Sequence, residues 1–168
     1  MRLTGNNKGT SLIELIIAMA VAAIVLSMIM FFISGAAKSF RRTSDEVNLQ
    51  MEAQTILNQM NNIAMEAKGM EEYVTSEESR YTFQCNGDEY YTFIFAGAEN
   101  KLYQVQTTGF TEAQTAVYNM QENFLADYIT RLIITENSGN KSITIDLRLA
   151  LGNDNYEIKK TIKMRNAK

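Results

Sequence analysis

Hydrophobic and polar positions follow three patterns along the chain, and each predicts a different element. The first is an almost unbroken apolar run. From Leu15 to Ala37, 23 residues carry no charge, and only Ser27, Ser34 and Gly35 interrupt the apolar side chains. As a helix such a stretch covers about 34 Å, against about 30 Å for the hydrocarbon core of a bilayer. Lys38, Arg41 and Arg42 follow at once, as basic residues do where a spanning helix meets headgroups.

The second pattern begins beyond that basic cluster. Leu49, Ala53, Ile56, Met60, Ile63 and Ala67 recur at intervals of four, three, four, three and four, which places them on one face of an amphipathic helix. Nothing between Lys38 and Ser44 forbids continuity with the apolar run. The simpler prediction is one helix from about Thr10 to Lys68, stopped at Gly69. Ser44, followed by Asp45 and Glu46, leaves open a second helix after a hinge at 38–44.

After Gly69 the period falls to two, and aromatic and branched residues replace the aliphatic stripe. Tyr81–Cys85 and Tyr91–Phe95 flank Asn86-Gly87, a strong hairpin signal. Leu102–Gln106, Tyr128–Thr135, Lys141–Leu149 and Tyr156–Met164 read as further strands. Asn137-Ser138-Gly139-Asn140 and Gly152-Asn153-Asp154 separate the last three, while 111–123 reads as loop or short helix. Ile143, Ile145, Leu147 and Leu149 share one face. The pattern predicts an α+β chain whose long N-terminal helix packs on an antiparallel sheet with one wet face. Its parts are a leader at 1–9, a membrane segment at 10–37, an amphipathic continuation at 38–68 and a β-rich head at 69–168.

Composition narrows the chemistry. The chain has no His, which removes the usual general base near neutral pH and the commonest metal ligand. Its single Cys, Cys85, allows no internal disulfide, so an exported head must rely on packing. The formal charge is −3, and loss of a leader holding Arg2 and Lys8 leaves 14 basic against 19 acidic residues. Nucleic-acid binding by the head is disfavoured. A non-enzyme needing no cofactor is the expectation.

Glu14 is the informative residue, one turn inside an otherwise apolar segment that starts at Thr10. A carboxylate deep in a bilayer costs about 2.5–3.5 kcal/mol on insertion scales and so has a partner and a function. A cut between Gly9 and Thr10 would create a cation one turn from Glu14, and a neighbouring copy would offer the same amine. Neutralisation between adjacent helices would then drive assembly.

The residues Lys8-Gly9-Thr10-Ser11-Leu12-Ile13-Glu14-Leu15, followed by the apolar run, resemble the signal of type IV prepilins and pseudopilins. The resemblance implies cleavage after Gly9 by a membrane prepilin peptidase, N-methylation of Thr10 and a filament-assembly role for Glu14. It implies sister pilin or pseudopilin subunits as partners. It also implies a single pass through the cytoplasmic membrane with the head outside, followed by entry into a filament. That filament would be a type IV pilus, a type II secretion pseudopilus or a competence pilus. The family often has Phe where this chain has Thr10, and major pilins usually carry a helix-bending Pro where this chain has Phe31. The missing Pro favours a minor pilin or pseudopilin. The ending Arg165-Asn166 resembles that of J-type minor pseudopilins.

Plainer readings stand beside this one. Ser11-Leu12-Ile13-Glu14 fits a capping box, which would make Glu14 a helix start. Ser34-Gly35-Ala36-Ala37 offers the small residues of a secretory cleavage site. The helix could also be a mere tether for an extracytoplasmic binding or adhesion domain. In the head, Glu71-Glu72 and Glu77-Glu78 read as a solvated connection rather than paired catalytic acids. Asn153, Asp154, Asn155 and Glu157 offer oxygen ligands for calcium, which related pseudopilins can bind. Their spacing does not follow an EF-hand loop, and a tight turn is the preferred reading. Cys85 has no basic neighbour in sequence to activate it, and the aromatics from Tyr81 to Tyr103 read as core and cross-strand pairs.

Overall fold

The computed structural model describes residues 11–85, 87–118 and 122–166. They divide into two compact units, up to Thr43 and from Ser44. One helix, α1 (Leu12–Glu66), contributes to both and has no break at 38–44 or at Phe31. With no Pro in the chain, nothing removes a backbone donor from its ladder.

In the second unit, α1 buries Leu49, Ala53, Ile56, Leu57, Met60, Ile63 and Ala64. These include most of the stripe read from the sequence, joined by Leu57 and Ala64 because an apolar face is wider than a two-position seam. Each large side chain so buried contributes about 1.5–3 kcal/mol, while the alanines let backbone come close.

Eight strands follow: β1 (Gly69–Val74), β2 (Glu78–Gln84), β3 (Tyr90–Ala96), β4 (Lys101–Thr107), β5 (Phe124–Ala126), β6 (Ile129–Asn137), β7 (Ser142–Leu151) and β8 (Asp154–Lys163). The short helix α2 (Phe110–Thr115) lies between β4 and β5. All described pairings are antiparallel, in one sheet ordered β1-β2-β3-β4-β5 and another ordered β6-β7-β8. Both sheets supply residues to the core around α1, with Tyr81, Phe83, Phe93 and Leu102 from the first and Ile134, Ile143, Ile145, Leu147 and Leu149 from the second. The buried Tyr81 hydroxyl donates to the Leu132 carbonyl at 3.1 Å and ties the sheets together. This is the α+β arrangement that the pilin resemblance implies.

Three details correct the reading from sequence. There are two sheets instead of one. The outer face of β3 and β4 is not wet, because Ile94, Ala96, Tyr103 and Val105 form a second cluster with Ala116 and Tyr118, and Thr92 bonds to the Ala113 carbonyl of α2. Glu71 and Glu72 lie within β1, and Glu78 lies within β2. Alternation was obscured in β3 because both of its faces are covered. In the β2–β3 connection Gly87 stands at φ 79° and Cys85 N–H donates to the Glu89 carbonyl. Between β7 and β8 the turn is Gly152-Asn153, with Gly152 at φ 62°, the left-handed first position that two-residue hairpins assign to Gly.

The C-terminal end of α1 accounts for its last four carbonyls, which no helix satisfies internally. Ile63 accepts from the Cys85 thiol, Ala64 from Ala67 N–H, Met65 from Arg165 N–H and Glu66 from the Asn166 amide. The chain's own C-terminal segment therefore finishes its N-terminal helix.

Candidate functional site

The site that sequence singles out is the start of α1. Gly9 and Thr10 lie outside the described residues, so the geometry begins at Ser11. Ser11 is the N-cap. Its carbonyl accepts from Leu15 N–H at 3.2 Å and its hydroxyl from Ile13 N–H at 3.3 Å. Glu14 answers from the third helical position, its Oε2 accepting from Ser11 N–H at 3.0 Å. This is a capping box in which the hydroxyl takes the second helical N–H instead of the third; it satisfies two donors at the helix start and sets a negative charge at the positive end of the helix dipole.

Oε2 is engaged at Ser11 N–H, which fixes the direction of the carboxylate. A single hydrogen bond leaves the other oxygen able to accept.

Behind this cap, 17 large apolar side chains between Leu12 and Phe40 are exposed, Phe31 to 84% and Leu12 to 77%, so this half of the helix is built for a solvent other than water. The helix is long and apolar enough to cross a membrane, and nothing in the most apolar window is covered by protein. Ser27 is accommodated because its hydroxyl donates to the Ala23 carbonyl one turn back, the usual way a hydroxyl is satisfied in hydrocarbon.

The head offers weaker chemistry. Burial pushes the Cys85 thiol up, with the nearby carboxylates Glu66 and Glu89 adding to the effect and Lys68 opposing it; it is a buried core thiol. Burial likewise pushes the Tyr103 phenol up to about 12, assisted by Glu99, which accepts its hydroxyl at 3.0 Å. Of the four oxygen-bearing residues considered for calcium, Asn153 sits in the turn, Asp154 and Asn155 begin β8, and the Glu157 carboxylate is held by Arg148 at 2.7 Å. Among the described residues no group of three or more His, Cys, Asp or Glu side chains gathers as a metal site would.

Sequence reading missed one pairing that matters structurally, the capping of α1 by Arg165 and Asn166. These residues attracted notice only through resemblance, since a contact across 100 positions leaves no local signal.

Residues 4–30 match the family model of the prokaryotic N-terminal methylation motif. Neither a curated protein nor a solved structure matches the chain. The matched segment contains Gly9, Thr10, the capping box and two thirds of the apolar run, so the chain carries a type IV prepilin-like N-terminal signal.

Proposed function

We propose that the chain is a non-catalytic structural subunit, a minor pilin or pseudopilin, matured by a prepilin peptidase and assembled into a filament through α1. The carrying observation is the conjunction of the methylation motif at 4–30 with a fixed carboxylate, Glu14, at the mouth of a helix whose apolar side chains find no cover in their own chain. Cleavage after Gly9 and methylation of Thr10 would leave a cation beside Glu14, and burial of that pair among sister helices follows from the cost of leaving either charge alone in hydrocarbon. In this reading the head lies outside the cytoplasmic membrane, which the prepilin-like signal supports. No cofactor enters this reading. The machine is a type IV pilus, a type II secretion pseudopilus or a competence pilus, with the missing helix-bending Pro favouring a minor subunit.

A second reading makes α1 only a tether for a binding head, and the capping box is what favours it, since Glu14 already has a local duty. Two substitutions separate them. Gln also serves in a capping box but carries no charge. If Glu14 pairs with the methylated amine, Glu14→Gln and Glu14→Ala both lose incorporation into sheared filaments by tenfold or more. If Glu14 only caps, Glu14→Gln behaves as wild type, and the assembly role is wrong.

A further inference from the structure

Two edge strands carry opposite charge, β1 along its length and β8 in its second half. β1 is terminal in the five-stranded sheet and β8 in the three-stranded one, so each leaves a row of backbone donors and acceptors without a strand partner. Glu71 and Glu72 are the charged residues of β1, both exposed. The second half of β8, from Ile158, carries Lys159, Lys160 and Lys163 and no acid. None of these five forms an ion pair among the described residues. The other terminal strands differ. β5 has three uncharged residues, and β6 carries one charge of each sign, Arg131 and Glu136.

Charged edges usually keep sheets apart. They do so when like meets like, and here β1 repels another β1. The first half of β8 carries Asp154 and Glu157, but Arg148 holds Glu157, and among the described edge strands the lysine-bearing half of β8 is the segment whose sign complements β1. β1 also exposes Tyr73 and Val74, at 56% and 58%, beside its two glutamates, so the same edge offers apolar area to a partner strand.

We propose that the acidic edge strand β1 of one copy pairs with the lysine-bearing half of the edge strand β8 of the next. This rests on the filament reading above and deepens it by naming the head surfaces that meet. The contact joins different patches on the two copies, so it is head-to-tail and passes from copy to copy, into a ring or an open helical run, instead of closing into a two-fold dimer. Strand addition at an edge supplies the backbone hydrogen bonds, and the Glu–Lys complement selects the partner.

The test uses the full-length chain in its native membrane. Differently tagged copies carrying Glu72→Cys and Lys160→Cys are co-expressed and treated with a short thiol crosslinker, with the wild-type chain, whose Cys85 is buried, as the blank. The proposal predicts a mixed-tag crosslink. It also predicts at least a tenfold loss when the contacting edge is reversed on one side only, by Glu71→Lys in the Glu72→Cys copy or by Lys159→Glu/Lys163→Glu in the Lys160→Cys copy, and recovery when both reversals are combined. A missing crosslink, or a crosslink indifferent to charge reversal, overturns it. Crosslinking is scored in membranes before filaments are sheared. A chain that crosslinks but never enters filaments contradicts the filament reading and leaves the contact standing. A chain that enters filaments without crosslinking does the reverse.

Discussion

The Asn166 side-chain amide donates to the Glu66 carbonyl at 3.0 Å, joining residues 100 positions apart. Beside it, Arg165 N–H donates to the Met65 carbonyl at 3.2 Å. Arg165 and Asn166 thus supply donors to the final turn of α1, at the negative end of the helix dipole.

Asn166→Ala is expected to destabilise the head by about 1 kcal/mol, the value of a hydrogen bond whose acceptor loses its donor. Asn166→Asp should cost more, because it sets a carboxylate against a carbonyl at the dipole's negative end. Denaturant unfolding of the detergent-solubilised full chain checks both, and equal stability of Asn166→Asp and wild type would show that the contact is incidental.

This end of the helix also marks how far sequence could reach. The stripe from Leu49 to Ala67 was legible because one helix face carries its own period, and β6 to β8 because Ile143, Ile145, Leu147 and Leu149 alternate cleanly against solvent. β1 was not, since Met70-Glu71-Glu72-Tyr73 on an exposed edge has little apolar alternation. Nor was the cover over β3, because Ile94 and Phe95 both look inward when each face of the strand has its own lid. For the site, Glu14 stood out by its cost, whereas its bond to Ser11 was readable only as one of two alternatives.

Tyr81→Phe keeps the ring in the core but removes the one hydroxyl that bonds the Leu132 carbonyl. A loss of about 1–2 kcal/mol is expected. Met60→Ala, which empties a fully buried site on α1, should cost about 2–5 kcal/mol. If Tyr81→Phe proves as costly as Met60→Ala in the same unfolding series, the hydroxyl has a role beyond this single bond.

Tyr103 gives the head an alkaline limit. Its folded-state pKa, about 12, lies above the ordinary 10.0, so the folded state holds the proton more tightly than the unfolded one. That contribution is complete below pH 10 and fades as pH rises toward 12. Thermal melts across this window should show a steeper decline for wild type than for Tyr103→Phe. Parallel curves would mean that the buried phenol is not what titrates.

The central claim is that α1 is the matured assembly helix of a prepilin-like subunit, and the mass of the N-terminal peptide of the membrane-extracted protein tests it most directly. The account predicts a chain that begins at Thr10 and is heavier by one methyl group, with the unprocessed form accumulating when the prepilin peptidase is absent. A chain that retains Met1 in the presence of the peptidase, or one that begins near Lys38, would contradict it.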